Sequence, residues 1–214
     1  MKIYHSSEKI IKNPDYSLGK AHNDFGKGFY CTQDEERAKE WACKRNNEGY
    51  VNVYELDIDN LNVLDLKDEK YTVMNWISIL LNNRTFNILS SLAEESKKYI
   101  INNYSIDTKK FDVVIGYRAD DSYFSYAQSF INNSISIEGL QKAMLLGNLG
   151  KQIVLVSKKA FEKIKFIKHY PVDNNVYYNK YVINDTKARK EYRDIKLNKS
   201  DTYILDLIRS KKRK

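Results

Sequence analysis

The apolar segments of this chain are short, and the connections between them vary in length without a repeating plan. No regular strand–helix alternation carries a glycine-rich phosphate loop, which argues against a doubly wound parallel sheet. A mixed α+β fold is expected instead, with a small split sheet flanked by helices. Strands are read at 2–5, 29–31, 51–58, 111–115, 152–156 and 166–167, where β-branched and aromatic residues dominate. Thr32 and Glu35 have capping-box spacing, and Ala38, Trp41 and Ala42 form a stripe, which predicts a helix over 33–45. Further helical stripes run through Val73–Leu81, Phe86–Ile100, Tyr123–Ile131 and Leu140–Met144. Ser157 would cap a helical turn through Ile164, and two helices are expected around 188–195 and 201–208.

Composition narrows the class. The 214 residues are 42% hydrophobic, enough for a core, and two prolines with eight glycines exclude a fibrous or disordered chain. No apolar run is long enough to span a membrane, and the opening Met1–His5 reads as a strand rather than a signal peptide. Cys31 and Cys43 are the only cysteines, too few for a disulfide framework, so a reducing cytoplasm is expected. His5, His22 and His169 are scattered, and none sits at zinc spacing from a cysteine, so no metal is expected. The formal charge of +8 is localised: residues 187–214 hold eleven Lys/Arg against four Asp/Glu, a surplus of 7, while residues 1–186 hold the remaining 25 against 24. This basic segment is either a solvated helical face or a phosphate-contacting arm.

Three places put unusual polar residues into strand-like contexts. Tyr4-His5-Ser6-Ser7 ends the first strand, where an imidazole and backbone N–H groups can face a ligand; a lone histidine is more often structural. In Asp24-Phe25-Gly26-Lys27-Gly28-Phe29-Tyr30-Cys31-Thr32, two glycines permit close approach or positive φ before Phe29 and Tyr30 enter a strand on opposite faces. One ring can anchor the core while the other faces a cleft, or both can be core aromatics behind a kinked hairpin. Gln152 opens an otherwise apolar strand, where its amide can meet a ribose hydroxyl or merely mark a strand edge.

Their order and spacing resemble the three-part signature of the ADP-ribosyltransferase superfamily. More closely, the chain resembles a bacterial family within it. The shared features are Tyr4 to Ser7, Asp24 to Thr32 with Ala38 and Trp41, Val51 to Glu55, Ile115 to Asp121, and Gln152 to Val154. The likeness covers roughly residues 2–168, so residues 1–170 are expected to form the transferase-like domain and residues 171–214 a basic, mostly helical extension. The resemblance implies cleavage of the nicotinamide bond of NAD+ and transfer of ADP-ribose to a macromolecule. It also implies that His5 bonds the adenine-side ribose, that Tyr30 stacks on nicotinamide, and that Gln152 holds the nicotinamide-side ribose. Ser6 would lie near the carboxamide, while Asp24, Gly26, Gly28 and Phe29 would shape the loop over the dinucleotide. Relatives often act as toxins in toxin–antitoxin or phage-defence settings, which implies a protein antitoxin.

The residue types suit that chemistry. Loss of nicotinamide passes through an oxocarbenium-like transition state that rewards gripping both riboses and excluding water, with no metal required. Ser6 stands where relatives carry glycine, and Gln152 stands where many carry glutamate. Glutamine can hold a hydroxyl but cannot act as a base. Asp120 and Asp121 are the candidates for an additional acid, although acids also favour a helix N-terminus. Arg118 would contact the pyrophosphate or pair with Asp120. The basic C-terminus, with Tyr192 and Tyr203 among its cations, favours RNA or DNA slightly over protein as the acceptor. The competing expectations are an inactive transferase fold serving as a nucleic-acid-binding module, and NAD+ glycohydrolysis without transfer.

Overall fold

The computed structural model describes residues 1–43, 48–119, 121–146, 150–195, 198 and 200–212, with the side chains of 121 and 122 excluded. The described residues form an α+β fold of two small sheets and eight α-helices. The first sheet has the order β1–β3–β7 and is antiparallel throughout, from Lys2–Ser7, Gly49–Leu56 and Ile164–Val172. The second has the order β2–β6–β5–β4, from Phe29–Cys31, Lys151–Leu155, Val113–Tyr117 and Val63–Asp65; only β4 and β5 run parallel.

The sheets are joined at one place. Tyr4 N–H donates to the Thr32 carbonyl (2.8 Å), and Thr32 N–H donates back to Tyr4 (2.9 Å). Beyond this bridge β1 continues along β3 while β2 follows β6, so the two strands part between His5 and Tyr30. Each sheet then buries a different face. Ile3, Phe29, Cys31, Tyr54, Val113, Ile153 and Leu155 fill the space between the sheets. On the opposite face of the second sheet, Val114 and Val154 join the largest core, built on α2 (Val73–Asn83), α3 (Ser91–Tyr104), α4 (Asp121–Ile131) and α5 (Ile137–Ala143). Period-two alternation along β2 and β6 therefore puts Tyr30 and Gln152 on the helical face, and Phe29 and Ile153 between the sheets.

The first helix is shorter than its stripe suggested. Helix α1 is Glu35–Ala42, capped by the Asp34 carboxylate on Arg37 N–H, not by Thr32. Thr32 is held in the bridge to β1, and its hydroxyl accepts from Asp34 N–H, so the cap falls two residues later. The helix read over 86–100 begins at Ser91 behind a Ser90 cap, because Phe86 belongs to the preceding loop, where it packs on Phe124. Strand β4 was not anticipated, since three residues are too few for periodicity to register. Ser157 caps α6 (Lys158–Glu162) as expected.

The C-terminal segment packs onto this body. Helix α7 spans Asn174–Arg193, far longer than the expected 188–195, and α8 spans Ile204–Lys212. Ile204 and Ile208 enter the main core, and Tyr192 stacks on Tyr126 of α4 at 3.9 Å. Glu40 in α1 is 2% exposed and accepts from Arg37 (2.8 Å) and from Asn184 of α7 (3.2 Å). Cys31 and Cys43 are both buried thiols. Among the described residues, no helix is long and apolar enough to cross a membrane.

Candidate active site

Where the sheets part, a cavity of about 690 Å³ opens, of the size that takes a small molecule or cofactor. Its walls come from β1, β2, β6, the loop between β1 and β2, and the segments after α2 and β5.

His5 lies at the split itself. Its Nδ1 sits 2.7 Å from the Tyr30 carbonyl, which can only accept, so Nδ1 carries the proton. The imidazole thus spans the gap between β1 and β2. Its ring stacks on Phe29 (4.1 Å), which meets Tyr54 edge-on. Burial pulls the His5 pKa down to about 4, against the opposing pull of the Tyr30 carbonyl. The ring is therefore neutral at physiological pH, which leaves Nε2 an acceptor on a residue that lines the cavity. Phe29 lines the cavity too, yet it is 8% exposed, and its ring works mainly as the floor beneath His5.

Tyr30 presents its ring to the cavity with its hydroxyl already used. The hydroxyl donates to the Gly26 carbonyl (2.6 Å) and accepts from Phe25 N–H (3.0 Å), and burial raises its pKa. Tyr30 thereby closes the 24–30 turn on itself. Gly26 is required there: its φ is +77°, and a Cβ would come within 2.8 Å of Asn83 Oδ1. Gly28 lets the turn lie flat on β6, since a Cβ would stand 2.7 Å from the Leu155 carbonyl oxygen.

Gln152 is paired across the ladder with Gly116, between exposed Lys151 and the core residues Ile153–Leu155. It is 6% exposed, and its Oε1 has no hydrogen-bond partner among the described residues. A buried acceptor left without a donor costs about 1–3 kcal/mol, and the described residues supply no donor to this one.

Asp24 and Ser6 are more constrained than their sequence context implied. Asp24 is 5% exposed; it pairs with Arg84 (2.6 Å) and accepts from Ala119 N–H (2.9 Å). Burial raises its pKa, while the Ala119 N–H and the Arg84 guanidinium work the other way. It thus ties the cavity loop to the end of β5. The Ser6 hydroxyl donates to the Ala38 carbonyl (2.5 Å), clamping α1 onto β1, and leaves mainly backbone for a ligand. Arg118 reaches the cavity wall with its guanidinium 4.2 Å over the Trp41 ring. Asp120 lies outside the described residues, as does the side chain of Asp121, whose backbone opens α4.

A family model described as "Protein of unknown function (DUF3990)" matches residues 1–166. The chain belongs to the DUF3990 family. The DUF3990 match contains nearly the whole cavity; of its lining, only Tyr181, on α7, lies beyond it. No curated protein and no solved structure matches the chain.

Sequence reasoning missed Arg84, Lys9, Lys20 and Tyr181, all of which line the cavity. Arg84 caps the C-terminus of α2, where a cation suits the helix dipole, so its position had a sufficient local explanation. Only the fold carries it to Asp24, sixty residues earlier. Together the cavity offers two neutral acceptors on His5 and Gln152, an aromatic wall, and the cations of Lys9, Lys20, Arg84 and Arg118. Acceptors suit hydroxyls, cations suit phosphates, and flat rings suit heteroaromatic bases.

Proposed function

We propose that this cavity binds NAD+ and that the protein is an ADP-ribosyltransferase, cleaving the nicotinamide bond and transferring ADP-ribose to a macromolecule, a nucleic acid in preference to a protein. The observation that carries the reading is the convergence of His5, Tyr30 and Gln152, from three strands, on one cavity that leaves Gln152 Oε1 without a donor. A vicinal diol supplies such donors, and a dinucleotide supplies two diols, a pyrophosphate for the four cations and two bases for the rings. The split of β1 from β2 agrees with an ADP-ribosyltransferase-like core, the loop between those strands lying over the dinucleotide.

In this reading His5 Nε2 accepts from the adenine-side ribose, and the Tyr30 ring packs on nicotinamide. Gln152 Oε1 accepts from the nicotinamide-side ribose. Fixing both riboses favours the flattened, cationic sugar as the C1′–N bond breaks and nicotinamide leaves as a neutral base. Gln152 orients the ribose and does not act as a base. By its resemblance the protein is a cytoplasmic toxin with a protein antitoxin as partner.

Incubation of a bacterial lysate with NAD+ labelled in its adenylate half tests this. Label should join macromolecules with wild type and not with His5→Ala/Gln152→Ala, and nuclease rather than protease should release it. Release of nicotinamide with free ADP-ribose would replace transfer by glycohydrolysis. Purified protein that neither binds NAD+ nor frees nicotinamide would overturn the reading.

A further inference from the structure

Helix α7 starts beyond the DUF3990 match, yet it borders two cavities. Tyr181, in its first half, lines the large cavity. Thr186, Arg189, Tyr192 and Arg193, in its second half, line a separate cleft of about 350 Å³ with Tyr126 of α4. Tyr181 and Tyr192 are eleven residues apart, close to three full turns, so one stripe of α7 connects the two places.

The cleft is built from nucleotide-recognising chemistry. Tyr192 stacks on Tyr126 with rings 3.9 Å apart and 21° from parallel, giving a rigid aromatic wall. Arg189 Nε donates to Asp185 (2.8 Å), and Arg189 lines the cleft together with Tyr126 and Tyr192. Arg193, one turn later, is exposed and forms no ion pair among the described residues; neither does Lys190. Along α7 itself, residues 185–193 carry four Lys/Arg against Asp185 and Glu191. Guanidinium groups beside stacked aromatic rings favour phosphodiesters with unstacked bases, hence a single strand rather than a folded protein surface.

We propose that α7 is a docking track for single-stranded nucleic acid. Arg189 and Arg193 hold phosphates, the Tyr126–Tyr192 wall supports a base, and the strand runs along α7 past Tyr181 to the large cavity. The second half of this statement, delivery of an acceptor, rests on the NAD+ reading; binding in the cleft does not. From Tyr181 to Arg189 or Arg193 the helix rises about 12–18 Å, the length of roughly four or five stacked nucleotides.

The test uses the full chain and short fluorescent single-stranded oligonucleotides, one RNA and one DNA, titrated at several salt concentrations. Arg189→Gln/Arg193→Gln should weaken binding at least about tenfold near physiological salt and lower the salt slope by about 1.4, the share of two phosphates. Its thermal midpoint and its NAD+ binding should match wild type, which separates lost docking from lost folding. Tyr181→Ala, on the track itself, should weaken oligonucleotide binding less than the arginine pair does and reduce label transfer to the strand, with NAD+ binding measured alongside to separate the two cavities. Equal affinity and slope in wild type and the double variant would overturn the proposal, as would transfer only to protein with no oligonucleotide binding. Arginine-dependent oligonucleotide binding by a protein that does not bind NAD+ would keep the cleft and remove the transferase reading with its delivery step.

Discussion

Gln152 and His5 are both polar side chains held at a cost in the wall of the cavity. The Gln152 amide is shut away from water beside core valine and leucine, with its oxygen bonded to no described residue. Gln152→Met keeps the volume and removes the orphan, so it should stabilise the protein by about 1 kcal/mol, raising Tm by roughly 2–4 °C, while NAD+ turnover falls away. A lower Tm would mean that the amide is satisfied in solution and would remove the argument for a ligand donor. His5 makes a second prediction through pH. Its folded pKa near 4 lies below the ordinary 6.5, so on acidification the unfolded chain takes up the proton first. The folded state has its full advantage above about pH 6.5 and loses up to about 3 kcal/mol as pH falls to about 4. His5→Gln should lack this part of the acid slope in paired denaturant titrations; parallel wild-type and variant curves would show that the imidazole is solvated.

Elements meet at the cavity through contacts that leave little room. The 24–30 turn is pinned by the Tyr30 hydroxyl, by Asp24 on Ala119 and Arg84, and by the close fit of Gly28 on β6. Gly28→Ala puts a methyl group against a backbone carbonyl that cannot yield without parting β2 from β6. A loss of about 1–3 kcal/mol is expected, with Tyr30 displaced and NAD+ affinity reduced together. Unchanged stability in a urea titration would show that β2 rides higher on β6 than described. Across the other sheet, Asn52 fixes the start of the cavity loop: it is fully buried, accepts from Ile11 N–H (2.8 Å) and donates to the Lys9 carbonyl (3.1 Å). Acidic residues of α1 then tie that helix to the C-terminal half, Glu35 to Tyr170 and Glu36 to Lys180.

At the scale of the molecule, the C-terminal segment is part of the folding unit although the family match ends at residue 166. Ile204 is fully buried in the core that also holds Trp76 and Leu80. Ile204→Ala should cost about 2–5 kcal/mol and lower a single, cooperative melting transition, read by both near-UV and far-UV circular dichroism. A melt in which the near-UV signal of the main core is unaffected would make the segment a separable appendage. The same packing gives α7 its place beside two cavities, so Arg189, Lys190 and Arg193 are presented on a helix packed against the body. Among the described residues, several basic ones are engaged locally, Lys187 with Glu191, Arg189 with Asp185 and Lys212 with Glu95.

The amino-acid sequence by itself determined the α+β class, strands near 2–5, 29–31 and 152–156, the opposite facing of Phe29 and Tyr30, and His5, Tyr30 and Gln152 as the residues to watch. The strands and their facing rest on local physics, β-branched runs and period-two alternation, whereas the choice of His5, Tyr30 and Gln152 rests on polar groups in apolar strands together with the family resemblance. The ends of α1 and α3 were not legible, because a tertiary bridge at Thr32 and the packing of Phe86 outweighed local capping and periodicity. The tertiary structure alone decided that Ser6 clamps α1, that Asp24 works through Arg84, that Tyr192 is half covered, and that α7 joins two cavities. Those facts depend on contacts between residues tens to more than a hundred positions apart. Local propensity carries no information about such contacts until the two sheets have closed on each other.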